Sequence, residues 1–295
     1  MKSFYPLLML SVLLFPMCST PKQSATAHTA KPYQARAPKT QNFNAKAFQP
    51  SQKTIIRWLG NAGFFINARG TTLMVDPLLK GFDIPSLITM PIDPTAVPHL
   101  DAVLITHSDN DHFSIPTLSA LAEKTRVFHS VHYVDSLMKL QNWNSVGHGI
   151  GDTFTVGSVN ITTTPADHAC QNHFPGATRY FKFDDFCGFW METPDGTIWA
   201  TGDSRLLDAH LQLEAPDAIF FDFSDSQWHF GLDGAVKIAN TYPNAALLLC
   251  HWGSVDAPQM KEFNGDPEVL KKLVVNPERI HVLAPGEPFQ LKKAL

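Results

Sequence analysis

An α/β chain of the α+β kind, folded as a four-layer αββα sandwich, is what this sequence predicts, on three observations. Short β-branched and aromatic runs fall into two groups along the chain. Helix-compatible segments enter late in each group, which suits two facing sheets with helices outside. Four of the runs end in a side chain able to hold a metal: His107, His168, Asp203 and His251. One such ending carries little weight. Four in chain order bring strand ends from both halves to one edge.

Within 295 residues, 44% hydrophobic and with a formal charge of −4, there is room for one large domain with a substantial core. Mild acidity and the lack of a basic run argue against general nucleic-acid binding. Residues 1–18 read as an export signal, with Lys2 ahead of the apolar run Tyr5–Met17. Cys18 stands where a lipoprotein carries its lipidated cysteine. The expectation is therefore an exported chain, periplasmic or anchored to a membrane through Cys18. Cleavage near Ala25-Thr26-Ala27 would give a secreted one instead. Residues 19–53, rich in Ser, Thr, Ala, Pro, Gln and Lys, read as a disordered tether. The folded domain is expected over 54–295. Cys250 ends an apolar run and reads as a buried thiol, while a Cys170–Cys187 disulfide is left open.

Thr54–Leu59, Gly63–Asn67 and Thr71–Val75 read as a β-meander with Gly-Asn-Ala and Arg-Gly turns, closed by Asp76-Pro77. Leu79–Pro98 is loop-like. Ala102–Thr106 is a buried strand, followed by a helix from about Ile115 to Lys124 with Pro116 in its first turn. Arg126–His129 is a strand and His132–Leu140 a helix with Val134, Leu137 and Met138 on one face. Asp152–Val156 and Ser158–Pro165 form a hairpin. Arg179–Phe183, Cys187–Glu192 and Thr197–Ala200 follow as strands. Ala218–Phe223 and Ala245–Cys250 are buried strands on either side of a helix at Asp233–Tyr242. A helix near Asp266–Val274 precedes closing strands at Arg279–Ala284 and Glu287–Leu291.

The stretch Leu104–Ser114, LITHSDNDHFS, concentrates the chemistry. His107, Asp109 and Asp111 would point to one side of an extended segment, because side chains alternate. His112 adds a second direction, so the loop can wrap one ion and reach another. Asp-Asn-Asp alone is ordinary turn sequence, but a turn does not require the flanking histidines.

His107-Ser-Asp109-Asn-Asp111-His112, then His168, Gly202-Asp203 and His251, with Asp76 ahead of them, resembles the metallo-β-lactamase superfamily. The likeness runs from about Thr54 to Leu291. Trp58-Leu-Gly-Asn-Ala-Gly-Phe64 and His251-Trp-Gly253 look like its branch of ascorbate-6-phosphate lactonase and N-acyl-phosphatidylethanolamine phospholipase D-like enzymes. The resemblance implies the four-layer sandwich of that superfamily and two divalent ions, zinc, manganese or iron. His107 and His168 would hold one ion, Asp111, His112 and His251 the other, and Asp203 both. Asp109 departs from the pattern by occupying a histidine's place, where it can ligate through oxygen. The implied activity is a metal-dependent hydrolase using a metal-bound hydroxide on an ester, lactone or phosphodiester, with Asp111 and Asp203 as catalytic residues.

His173, His229 and Trp252 are candidates for contact with a small-molecule or lipid-like substrate. His129, His132, His148, His210 and His281 fit no ligand position. Two alternatives stand beside the hydrolase: a non-haem iron redox enzyme built on His107, Asp109 and His168, and an inactive binding protein on the same fold.

Overall fold

Hydrophobic alternation gives way to continuous burial in the central strands, and that burial decides the architecture. The computed structural model describes residues 33–173 and 179–294. The export signal, Cys18, the expected cleavage site at Ala25-Thr26-Ala27 and residues 19–32 of the expected tether lie outside the described residues. Among the described residues no helix is long and apolar enough to cross a membrane.

The first sheet holds β1 (Thr54–Gly60), β2 (Gly63–Ala68), β3 (Thr71–Val75), β4 (Ala102–Leu104), β5 (Phe128–Val131), β6 (Ser145–His148) and β14 (Pro288–Gln290). Its order is β14-β1-β2-β3-β4-β5-β6. The second holds β7 (Thr153–Val156), β8 (Val159–Pro165), β9 (Cys187–Thr193), β10 (Gly196–Ala200), β11 (Ala218–Asp222), β12 (Ala246–Cys250) and β13 (Ile280–His281). Its order is β13-β12-β11-β10-β9-β8-β7. In each sheet the meander half is antiparallel and the later half parallel, β3 to β6 in one and β10 to β13 in the other. Parallel strands need crossover connections, and the helices supply several of them. These are α1 (Ile115–Leu121), α2 (His132–Leu140), α3 (Gly231–Thr241) and the short α4 (Pro267–Leu270). Ser114 caps α1 by accepting from Thr117 N, and Pro116 sits in its first turn.

The sheets meet through aromatic side chains. Phe64 of β2 stacks on Phe220 of β11, ring centroids 3.7 Å apart and planes 11° from parallel. Both are buried, as are Trp58, Phe65, Phe189 and Trp199. Toward the β5–β7 side the filling becomes polar. His129 Nδ1 lies 2.9 Å from His148 Nε2, and both rings stack on Phe154. Burial, reinforced by His148, pushes the His129 imidazole down to about 4, and burial also lowers His148. A histidine with a depressed folded pKa is neutral when native but charges in the unfolded chain below about 6.5. Its contribution to stability is therefore present above pH 6.5 and lost as pH falls toward 4. We expect unfolding free energy to drop by about 3 kcal/mol across that window from His129. His129→Phe should flatten the profile in urea titrations. An unchanged slope would show that the pair does not titrate with folding.

Several expectations are corrected. Residues 33–53 are not a tether. Ala35 and Phe48 are buried, and backbone bonds run from Ala37 N to Gly253 O and from Gln41 N to Pro285 O. Gly253, at φ 62°, leaves room for that strap, since a Cβ there would lie 2.5 Å from Ala37 N. Arg179–Phe183 is not a strand. Arg179 instead pairs with Asp185 at 2.5 Å and lies over the Tyr133 ring. The helix expected to Val274 is regular only to Leu270, and the closing strands shrink to β13 and β14. Cys250 is a buried free thiol as expected, and Cys170 and Cys187, whose pairing the sequence left open, are free as well.

Candidate metal centre

Strand ends deliver the donors. β4 runs out at Leu104, and the chain turns through His107 to His112, with His112 N and Phe113 N both donating to Asp109 O. β8 leads to His168, β10 to Asp203 and β12 to His251. Gly202, at φ 62°, makes the turn into Asp203, because a Cβ would lie 2.6 Å from Cys187 O. Asn61, Asp76 and His251 are non-glycine residues with φ of 45°, 42° and 57°. Left-handed backbone at such residues is uncommon and persists where surroundings over-determine it. Asn61 shows how. Its carbonyl accepts from Trp58 Nε1 and His251 N, while its Nδ2 donates to Asp111 Oδ2 at 3.1 Å.

Five imidazoles share one design, in which Nδ1 is engaged behind the ring and Nε2 faces the centre. His107 Nδ1 meets Thr106 Oγ1 at 2.9 Å, and His112 Nδ1 meets Asp76 Oδ2 at 2.9 Å. His168 Nδ1 donates to Trp228 O at 2.8 Å, and His251 Nδ1 to Glu262 O at 3.3 Å. His229 Nδ1 bonds the buried Asp222 carboxylate. Such partners set the tautomer and orient the ring toward a cation. Thr106 ties two of them together, donating from N and Oγ1 to the Asp76 carboxylate at 2.8 and 2.7 Å.

Asp203 is where the Nε2 atoms converge. Its Oδ2 is 3.1 Å from His112, 3.6 Å from His229 and 4.0 Å from both His107 and His168, and its Oδ1 is 3.1 Å from His251. Asp109 Oδ2 lies 3.3 Å from His168 Nε2 and 3.6 Å from His107 Nε2. Gln171 Nε2 donates to the other Asp109 oxygen. Asp111 Oδ2 is 3.6 Å from His112 Nε2. Three donor groups form, each with its ligand atoms within 4.8 Å of one another: Asp111, His112, Asp203 and His251; His107, Asp109 and His168; and His168, Asp203 and His229.

The electrostatics call for positive charge. Burial alone would lower the His251 imidazole, but Asp203 outweighs it and pushes it up to about 9. His112 and His168 are also raised well above the ordinary value, burial being outweighed by Asp203, Asp111 and Asp76 for His112 and mainly by Asp109 for His168. Asp203 is held well below the usual carboxylate range, its burial outweighed by His112, His251 and His229. His107 is pushed down, by burial first and by His112 second. Its Nε2 is buried with no hydrogen-bond partner. An orphaned imidazole nitrogen beside a second Nε2 pair only 3.1 Å apart, His112 and His251, fits divalent cations.

All seven residues expected as ligands come together. His229, expected only near substrate, joins them. Trp252 is corrected: it is buried, stacked on Trp58 at 6.0 Å, and does not line the cavity. Trp228 lines it instead, with His173 packed against its ring at 4.7 Å. Asn61, Gln171 and Asp222 had not been singled out from the sequence. Asn61 lies within the Trp58–Phe64 stretch that carries the branch resemblance, Asp222 left a signal as a carboxylate near the end of a buried strand, and Gln171 left none.

Two facing mixed sheets carrying a His/Asp donor set on their shared edge define the class: a metallo-hydrolase fold. The chain belongs to the beta-lactamase superfamily, whose domain profile matches residues 71–252. A metal-dependent hydrolase from Archaeoglobus fulgidus is 24% identical, over 81% of this chain and 99% of the relative. Another from Herpetosiphon aurantiacus is 29% identical, over 80% and 97%. Among solved structures, an isothiocyanate hydrolase from Delia radicum gut bacteria superposes with a TM-score of 0.65 at 17% identity, over 81% of this chain and 99% of that one. CmlA, a diiron beta-hydroxylase from Streptomyces venezuelae, gives 0.58 at 16%, over 82% of this chain and 55% of its own.

Proposed function

We propose that this chain is a hydrolase dependent on two divalent ions, acting on an ester, lactone or phosphodiester. The observation that carries the reading is the set of five anchored histidines whose Nε2 atoms face Asp203 at the floor of an open cavity. One ion would be held by His107, Asp109 and His168, the other by Asp111, His112 and His251, with Asp203 between them and His229 within reach. Such ions supply Lewis acidity and lower the pKa of a bound water. The protein's own part is orientation. Asp76 and Thr106 hold His112 and His107, and Asn61 fixes the Asp111 carboxylate. Asp222 backs His229. No serine or cysteine nucleophile is required.

Asp109 favours a second reading, a redox iron site, because two histidines and one carboxylate suit non-haem iron. Elemental analysis of untagged protein, with turnover measured before and after chelation, separates the two. Zinc or manganese with chelator-sensitive hydrolysis is the expected result. Asp109→His should raise zinc retention relative to manganese or iron, since imidazole replaces a hard oxygen donor. A coloured iron centre without hydrolysis would replace the hydrolase by the redox reading. An unaltered metal preference in the variant would remove Asp109 from the ligand set.

A further inference from the structure

The cavity over the metal centre, about 700 Å³, has walls of a consistent chemistry. Two apolar clusters line it. Phe82 and Phe263 meet edge to face at 6.0 Å with Ile84 beside them, and Tyr133 meets Phe181 in the same way at 5.6 Å with Leu137 nearby. Charged side chains beyond the donor set are acidic: Asp83 and Glu262. Among the described residues no Lys or Arg lines the cavity. The guanidiniums that stack on its aromatic walls, Arg179 on Tyr133 and Phe181 and Arg205 on Trp228, are each paired with a carboxylate, Asp185 and Asp167, at 2.5 and 2.6 Å.

We infer that the substrate is uncharged, a neutral ester or lactone carrying a medium-length apolar chain, and that phosphodiesters are poor substrates. This rests on the hydrolase reading of the same site and narrows it. Phosphoryl groups are commonly clamped by Arg or Lys beside a metal, and among the described residues no Arg or Lys lines this cavity. Asp83 and Glu262 face an incoming phosphate with like charge. An alkyl chain, by contrast, leaves water for a surface of six apolar side chains. Each methylene so buried strengthens binding about three- to fourfold. The bond broken is the acyl C–O bond: the oxygen of a water molecule adds to the acyl carbon, and the leaving alkoxide takes one of that water's protons. No oxidant or other co-reactant is involved.

Two measurements on the full-length, metal-loaded protein test this together. The first compares kcat/KM for p-nitrophenyl acetate, butyrate and octanoate with that for bis-p-nitrophenyl phosphate. The second measures calorimetric affinity for octanamide and acetamide, which needs no turnover. We expect the octanoate ester to exceed the acetate by at least about tenfold, and the phosphodiester to lie below every ester. Octanamide should bind at least about tenfold more tightly than acetamide. Phe82→Ala and Leu137→Ala, neither a ligand, should each compress both chain-length ratios, with melting curves confirming the fold. Preferred hydrolysis of the phosphodiester, or a flat chain-length response in both measurements, would overturn the inference while leaving a hydrolase. Chain-dependent binding of octanamide without hydrolysis of any ester would uphold the neutral, apolar ligand and overturn the hydrolase reading instead.

Discussion

Asp203→Asn is expected to cost turnover by more than about 10²-fold and to lower bound metal. Loss of an outer partner of a metal ligand already costs about 10- to 100-fold. Asp203 is more central than such a partner, since its two oxygens lie within 4.0 Å of five Nε2 atoms. Asparagine keeps the shape but removes the charge and offers a donor where cations and imidazoles require an acceptor. Asp222→Asn is the matched control, because Asp222 is hydrogen-bonded to the centre through His229 and otherwise acts on it by charge alone. Its loss should fall in the 10- to 100-fold range. Elemental analysis, turnover and circular dichroism on each variant give the comparison. Full metal content and activity in Asp203→Asn would remove Asp203 from the centre.

Phe64→Ala should be the most damaging single truncation away from the site, by about 3–5 kcal/mol. Its ring is fully buried, stacked on Phe220 across the two sheets. Removal forfeits the transfer free energy and leaves a cavity that two rigid sheets cannot close. Against a total stability of about 5–15 kcal/mol, that loss brings the domain near its limit. Urea denaturation should show a lowered midpoint with an unchanged slope. Phe64→Leu should recover much of it. A loss under about 1 kcal/mol would mean the sheets repack freely, and the stack would not be what joins them.

The strands and the donor side chains at their ends were legible because both are local. A buried strand needs a run of β-branched or aromatic residues, and a donor placed by it must follow within a few positions, as His107, His168, Asp203 and His251 do. His229 was not read as a donor because it follows the end of β11 by seven residues and owes its position to Asp222. That pairing is tertiary. The strap at 33–53 was hidden by its polar composition, in which Ala35 and Phe48 reach the core and Phe43 packs against it. β6 was missed for a related reason: Ser-Val-Gly-His has little strand propensity, and pairing with β5 decides it. Trp252 misled in the other direction, since a tryptophan beside a ligand reads equally well as pocket wall or as core.

The pairing of β1 with β14 has a consequence for the order of assembly. β1 lies near the start of the folded region and β14 near the chain's last residues, in the register Ile55–Gln290, Ile56–Phe289 and Arg57–Pro288. The first of the described strands therefore waits for the last of them before its sheet is complete. Contacts of such long sequence separation raise contact order and slow folding. Until they form, β1 presents an open edge to other chains. We expect removal of residues 288–295 to keep every candidate donor in the chain yet raise light scattering during refolding, and a truncated chain that refolds without added scattering would show that the β1 edge is not what β14 protects.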